Sequence, residues 1–222
     1  MKQVVIIVAG GSGKRMNTDI PKQFLLLNED PVLIRTIMAF HQYNPDMQII
    51  VALPPGQKKY WQTICNNHKF NVPHILVNGG STRHHTVKNA VKKIQPGSIV
   101  AIHDGVRPLV SKALIQTCFD TASILGNAVP VIELSDSIRE VNGDKNVRAD
   151  RSRFRLVQTP QVFRSDMLIQ AFRQQYKPIF TDEATLVESA GYNIHLVKGH
   201  QENIKITTVF DLCIAASLLE NC

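Results

Sequence analysis

The run Gln3 to Ala9 (QVVIIVA) is continuously apolar after its first residue, mostly β-branched, and stops directly on Gly10 and Gly11. A strand takes this form when helices cover both faces of a parallel sheet, because neither face is then left for polar side chains. The following sequence supplies that cover. Pro31 opens a helical pattern through Val32, Leu33, Ile37 and Phe40, after which Gln48 to Leu53 (QIIVAL) reads as a second buried strand stopped by Pro54 and Pro55. These pieces make one βαβ unit. The alternation continues with a helix around Lys58 to His68, a strand at His74 to Val77, a helix around Thr82 to Ile94 and a strand at Ile99 to His103. A helix at Lys112 to Leu125 and a strand at Asn127 to Ile132 follow, and the last third reads helix, helix, strand, helix, ending near Leu219. Elements of this length in this order predict a doubly wound α/β fold with a mostly parallel, Rossmann-like sheet.

One segment departs from the rhythm. Glu133 to Gln158 is polar, contains the turn signal Asn142-Gly143-Asp144, and has flanking stretches able to pair as a hairpin. It is expected to protrude as a β-arm from a single domain spanning 1–222. Its second half carries Arg148, Arg151, Arg153 and Arg155, the last three at spacing two and so on one face of an extended strand. No linker or internal repeat interrupts the chain.

Composition narrows the class of function. Apolar residues at 44% and charged residues at 19% exclude a disordered or low-complexity chain. The early apolar stretch is too short for a membrane span, so a cytoplasmic protein without membrane attachment is expected. Cys65, Cys118, Cys213 and Cys222 form no CxxC pair and no regular framework, which argues for reduced thiols over zinc or disulfides. The net charge of +7 suits an anionic partner. With 6% aromatics and no finger, RNP-type or basic-helix motif, a small phosphorylated ligand is favoured over nucleic acid.

The residues after the first strand, Ala9-Gly10-Gly11-Ser12-Gly13-Lys14-Arg15-Met16, lie where open α/β sheets bind ligands. A P-loop needs Ser or Thr after its lysine and a glycine five positions before Gly13, and the chain has neither. A dinucleotide fingerprint started at Gly11 puts Met16 where its third glycine belongs. What remains is a glycine loop with basic side chains, followed by Pro21-Lys22-Gln23, able to hold a triphosphate or to serve only as a tight turn. A second loop, Asn78 to Arg83, leads into a helix N-terminus that favours anions, with Ser81 or Thr82 as the cap. A third strand end, His103-Asp104-Gly105-Val106-Arg107-Pro108, sets a carboxylate and an arginine at the same sheet edge.

With AGGSGKRM at 9–16, PKQF at 21–24, GGSTR at 79–83, HDGVRP at 103–108, DRSRFRLVQTPQVF at 150–163, TDEA at 181–184 and NIKIT at 203–207, the chain resembles the cytidylyltransferases of the nucleotidyltransferase superfamily, most closely those acting on methylerythritol phosphate. The resemblance implies that Ala9, Gly10, Gly11, Gly13 and Arg15 wrap the phosphates of CTP and that Lys22 contacts the triphosphate. It assigns the cytosine and ribose to Gly80, Arg83, Thr86 and Gly105, and the α-phosphate to Lys205. Asp104 is expected near the ribose and Mg²⁺, or another divalent cation. Arg107, Ser137, Arg151 and Thr159 match the polyol-phosphate site, and the arm is expected to cross to a second subunit in a homodimer. Gly10, Thr86, Gly105 and Ser137 depart from the family's usual alanine, serine, alanine and threonine.

In-line attack by a phosphate dianion on the α-phosphorus needs no general base, so Arg15, Lys22 and Lys205 would act by charge. Accordingly His103 is expected to be a structural hydrogen-bonder, and His84 and His85 surface residues. Thr181 to Glu183 are read as a helix cap, Asp211 as acting through a helix dipole, and Arg153 and Arg155 are unassigned. The alternatives are a ribitol-5-phosphate cytidylyltransferase, differing chiefly in the polyol pocket, a catalytically silent nucleotide-binding protein, and a basic nucleic-acid-binding module.

Overall fold

Alternation along the first strand decides both faces of the sheet. In the computed structural model, which describes residues 1–10 and 20–220, β1 (Gln3–Val8) sends Val5 and Ile7 into one hydrophobic cluster and Val4 and Ile6 into the other, all four fully buried. A 3-10 turn at Lys22–Phe24 leads to the two-residue strands β2 (Leu26–Leu27) and β3 (Asp30–Pro31), then to α1 (Val32–Tyr43) and β4 (Gln48–Leu53). Next come α2 (Gln57–Asn67), β5 (Ile75–Asn78), α3 (Arg83–Val91), β6 (Ile99–Asp104), α4 (Lys112–Leu125) and β7 (Asn127–Ile132). A hairpin of β8 (Ile138–Asn142) and β9 (Lys145–Ala149) is followed by a 3-10 turn at Arg151–Arg153, β10 (Leu156–Val157) and β11 (Gln161–Arg164). The chain then forms α5 (Ser165–Ala171), α6 (Glu183–Ser189), β12 (Leu196–Lys198) and α7 (Val209–Glu220).

The main sheet has the order β10-β7-β11-β6-β1-β4-β5, with β12 also on β7. The β6-β1-β4-β5 block is parallel throughout. From β1 the chain runs to β4 and β5 on one side and returns to β6 on the other. The crevice outside the carboxyl ends of β1 and β6 is therefore the topological switch point, where such sheets bind ligands. Side chains of α1, α2 and α4 fill one face and those of α3, α5 and α6 the other. Both helices flanking β6 are capped as their sequences require: Thr82 accepts the His85 N–H at the start of α3, Ser111 accepts the Leu114 N–H at the start of α4, and Gly126 closes α4 at φ 94°.

Three expectations need correction. The segment after Gln158 contains a strand that the helix, helix, strand, helix reading of the last third left out: β11 lies antiparallel between β6 and β7, within the mostly parallel sheet that was expected. Four residues behind a proline carry too little periodicity to separate a strand from a loop. Consequently the arm is shorter than 133–158, since Leu156 and Val157 rejoin the sheet against β7 and Gln158 is buried. Nor do Arg151, Arg153 and Arg155 share a strand face. Asp150 accepts both the N–H and the O–H of Ser152 and turns the chain into 3-10 geometry there.

Candidate active site

A cavity of about 340 Å³ opens at the switch point. Ala9 and Gly10 reach it from the end of β1, Lys22 from the 3-10 turn, Gly80, Arg83 and Thr86 from the β5–α3 connection, Asp104 from β6, and Lys205 from the segment before α7. Of the site residues expected from sequence, these eight are brought together. Gly11, Gly13 and Arg15 lie outside the described residues.

Asp104 is the electrostatic centre. Its Oδ2 lies 2.9 Å from Lys205 Nζ and 3.3 Å from Arg107 Nε, and its Oδ1 lies 3.9 Å from Arg83 Nε. Burial alone would push the carboxyl up, but Arg83, Lys205 and Arg107 together outweigh it and hold the group ionised, well below the usual carboxylate range. The support beneath is a closed chain of hydrogen bonds. His103 Nε2 sits 3.1 Å from the Arg107 carbonyl, which can only accept, so the ring proton is on Nε2 and Nδ1 accepts from Thr159 Oγ1 at 3.1 Å. The Thr159 oxygen in turn accepts the Asp104 N–H at 3.1 Å. Burial is the main reason the His103 imidazole drops to a pKa of about 4, so it is neutral near pH 7. Its expected structural role matches this geometry.

Arg107 and Thr159, expected at a polyol phosphate, are not among the residues lining this cavity. Arg107 is buried, with Nε on Asp104 and Nη1 donating to the Asn203 carbonyl at 2.7 Å, and Thr159 is taken up by Asp104 and His103. Both therefore act on Asp104. Asn203 completes the layer by donating from Nδ2 to the Thr159 carbonyl at 2.8 Å. Gly105 also lies behind the cavity wall, where an added Cβ would come within 3.0 Å of the Ala9 Cβ and 3.2 Å of the Val8 carbonyl oxygen. Ser137 and Arg151 line a different cavity, about 630 Å³, on the arm.

The second glycine loop is held by one hydroxyl. Thr86 Oγ1 donates to the Thr82 carbonyl at 2.9 Å and accepts the Gly80 N–H at 3.0 Å, tying the loop to the first turn of α3. Gly80 is required there, since a Cβ would lie 2.4 Å from the His85 Cβ.

Two residues were misplaced by sequence reasoning. His84 is buried against Phe172, Tyr176 and Phe180, because α3 turns it toward the second core cluster, and only His85 keeps partial exposure. Glu183, read only as part of a cap, is 2% exposed and faces Arg83 Nη1 with Oε1 at 2.7 Å and Oε2 at 2.6 Å. The TDEA motif was visible, but its partner stands a hundred positions away in the chain.

Among the described residues no group of three or more His, Cys, Asp or Glu side chains could cage a metal. Asp104 Oδ1, which accepts no hydrogen bond from the described residues, suits the other mode, in which one carboxylate and substrate phosphates share a divalent cation. Nor, among the described residues, is any helix long and apolar enough to cross a membrane.

A largely parallel α/β sheet, with Arg83 and Lys205 beside one carboxylate and Lys22 lining the same cavity at its switch point, defines a nucleotidyltransferase-like protein. Residues 3–221 match the model of the family described as 2-C-methyl-D-erythritol 4-phosphate cytidylyltransferase. The chain belongs to that family. Proteins of that name from Bacteroides thetaiotaomicron (45% identical) and Azobacteroides pseudotrichonymphae (46%) align with 99% of this chain and 100% of their own length. The crystal structure of the Thermus thermophilus protein of that name superposes with a TM-score of 0.80 at 31% identity, covering 99% of this chain and 100% of its own.

Proposed function

We propose that this chain transfers the CMP unit of CTP to 2-C-methyl-D-erythritol 4-phosphate, releasing pyrophosphate and forming 4-diphosphocytidyl-2-C-methyl-D-erythritol for isoprenoid synthesis. The observation that carries the reading is the cavity at the β1/β6 switch point that Lys22, Arg83 and Lys205 line together with Asp104, in a chain matched by the family model over 3–221. Relatives at 44 to 46% identity bear the methylerythritol phosphate name, which favours that acceptor over ribitol 5-phosphate.

The phosphate monoester of the acceptor forms a bond to the α-phosphorus while the bond to the β-phosphate oxygen breaks, its electron pair leaving with pyrophosphate. The protein's task is to bring two anions together and neutralise the charge that grows on the α- and leaving phosphates. Lys22 and Lys205 supply positive charge at the cavity, Lys205 being oriented by Asp104 at 2.9 Å. Gly10 and the segment carrying Gly11, Gly13 and Arg15 would add donors along the triphosphate. No proton transfer through His103 is required, and its neutral, buried ring offers none near pH 7. Asp104 Oδ1 would hold Mg²⁺ together with the triphosphate, where the ion adds charge neutralisation. Arg107 and Thr159 fix Asp104 from beneath, and Ser137 and Arg151 would serve the acceptor of a second subunit in a cytoplasmic homodimer. Supporting that last point, β8 and β9 form a two-stranded sheet of their own and leave Val141 70% exposed.

The test is pyrophosphate release with CTP, ATP, GTP and UTP, each offered methylerythritol phosphate or ribitol 5-phosphate, with and without EDTA. Turnover confined to CTP and methylerythritol phosphate and abolished by EDTA is expected. Equal use of another nucleotide or of ribitol 5-phosphate would reject the assignment, and full activity in EDTA would reject the metal.

A further inference from the structure

Glu183 is a buried carboxylate that the chemistry above does not use. It begins α6, and its place is fixed from both sides. Asp182 Oδ1 accepts the Thr185 N–H at 2.9 Å, while Gln161 on β11 accepts the N–H groups of Glu183 and Ala184 at 3.1 and 2.9 Å. Gln161 Nε2 also donates to Asp182 Oδ2 at 2.9 Å, so the main sheet itself orients the start of α6. From there the Glu183 side chain meets Arg83 Nη1 with both oxygens.

We infer that Glu183 is a positioning residue that holds the Arg83 guanidinium at the wall of the nucleotide cavity and off Asp104, an inference resting on the nucleotide reading of that cavity. Arg83 is the first residue of α3, directly after the Gly80 loop, and its side chain is 26% exposed where the cavity opens. Asp104 Oδ1 is the other carboxylate oxygen near it, 3.9 Å from Nε. Released from Glu183, the guanidinium has only that gap to close, and closing it would cover the Asp104 oxygen that accepts nothing else among the described residues. Stability is a poor reason for the pair. Burial raises the Glu183 carboxyl in spite of the pull of Arg83, and buried pairs often return less than their desolvation costs. A held geometry explains the pair better.

The test uses Glu183→Gln, which keeps size and one acceptor oxygen, with Arg83→Met and the double variant. The KM for CTP is expected to rise about tenfold in Glu183→Gln, with the KM for methylerythritol phosphate unchanged. In the Arg83→Met background the same change should add less than about twofold, since the two residues act as one unit. Unchanged CTP KM, or an equal penalty in both backgrounds, overturns the inference and returns Glu183 to a structural role. A second measurement needs no substrate and leaves Glu183 in place. In ¹⁵N spectra of the wild-type protein without nucleotide, the Arg83 Nε–H signal, assigned by its loss in Arg83→Lys, should be rigid and slow to exchange. A signal as mobile as that of a solvated arginine overturns the inference. Failure of wild-type protein to use CTP would reject the proposed function alone, because the Arg83 signal still decides the positioning.

Discussion

Asp104 holds Lys205 at 2.9 Å and Glu183 holds Arg83 at 2.6 Å, so these two cations at the cavity are placed by carboxylates before any phosphate arrives. That preorganisation lets a lysine act on a developing charge without a reorganisation cost. A charge-assisted bond to phosphate contributes about 1.5 to 3 kcal/mol, so Lys205→Met is expected to lower kcat at least about tenfold with the fold intact by circular dichroism. Lys22→Met should behave likewise. Wild-type kcat and KM for both substrates in either variant would remove that residue from the chemistry. His103 governs a separate pH effect. Its folded pKa of about 4 lies below the ordinary 6.5, so the neutral ring is favoured by folding and the unfolded chain binds more protons between those values. The stability His103 contributes is complete above about pH 6.5 and is lost as pH falls toward 4, by at most on the order of 3 kcal/mol. Asp104, held below the carboxylate range, loses its contribution only at lower pH still. Urea titrations across pH 4 to 7 should therefore show a slope that diminishes in His103→Asn, the His84 ring, which burial also lowers, adding to what remains, and an undiminished slope in that variant would assign the effect elsewhere.

At the scale of elements, the described lining of the cavity comes from the ends of β1 and β6, the 3-10 turn at Lys22, the β5–α3 loop and the segment before α7, and the loop is the part most sensitive to a single atom. Gly80→Ala would set a methyl 2.4 Å from the His85 Cβ and 2.8 Å from its carbonyl carbon, atoms of a helix that cannot give way cheaply. Gly79→Ala meets nothing nearer than 3.3 Å. The first substitution is expected to raise the KM for CTP more than about tenfold and the second much less, measured in the same steady-state assay. Equal effects would mean that the loop adapts and that the Thr86 tie is dispensable. What was legible at this scale follows from element length. β4, α4 and β7 were read with their observed ends because apolar runs and flanking proline, serine or glycine mark them. β11 was not, because four residues whose partners are β6 and β7 have no local signature. Glu183 was seen only as a cap for the same reason: TDEA shows the α6 start, while the contact with Arg83 exists only after α3 and α6 pack on one face of the sheet. The glycine motif that precedes Arg15 lies outside the described residues beyond Gly10.

On the scale of the whole molecule, the chain builds one sheet with its cavity and then extends a hairpin that shares no strand pairing with that sheet. An isolated two-stranded hairpin is marginal in water, and this one leaves Val141 and Val147 exposed at 70% and 58%. Ser137 and Arg151, expected at a polyol phosphate, line the cavity on this arm, not the cavity around Asp104. A second copy resolves both facts if each arm delivers its Ser137 and Arg151 to the other subunit's cavity. On that arrangement Arg151→Met should raise the KM for the polyol phosphate about tenfold, from the loss of one charged contact, with little change for CTP. Mixing tests whose site the arm serves. Arg151→Met and Lys22→Met proteins, each nearly inactive at low polyol phosphate, are combined after reversible dissociation. If arms cross, the heterodimer carries one site with both defects and one with neither, and its activity should approach half that of wild type. If each arm serves its own subunit, every site in the heterodimer keeps one defect and no activity returns. Absence of recovery in heterodimers verified by mass, or full activity in a strictly monomeric preparation, would reject the shared site, and an unchanged KM for the polyol phosphate in Arg151→Met would leave Arg151 as a solvated residue of the hairpin.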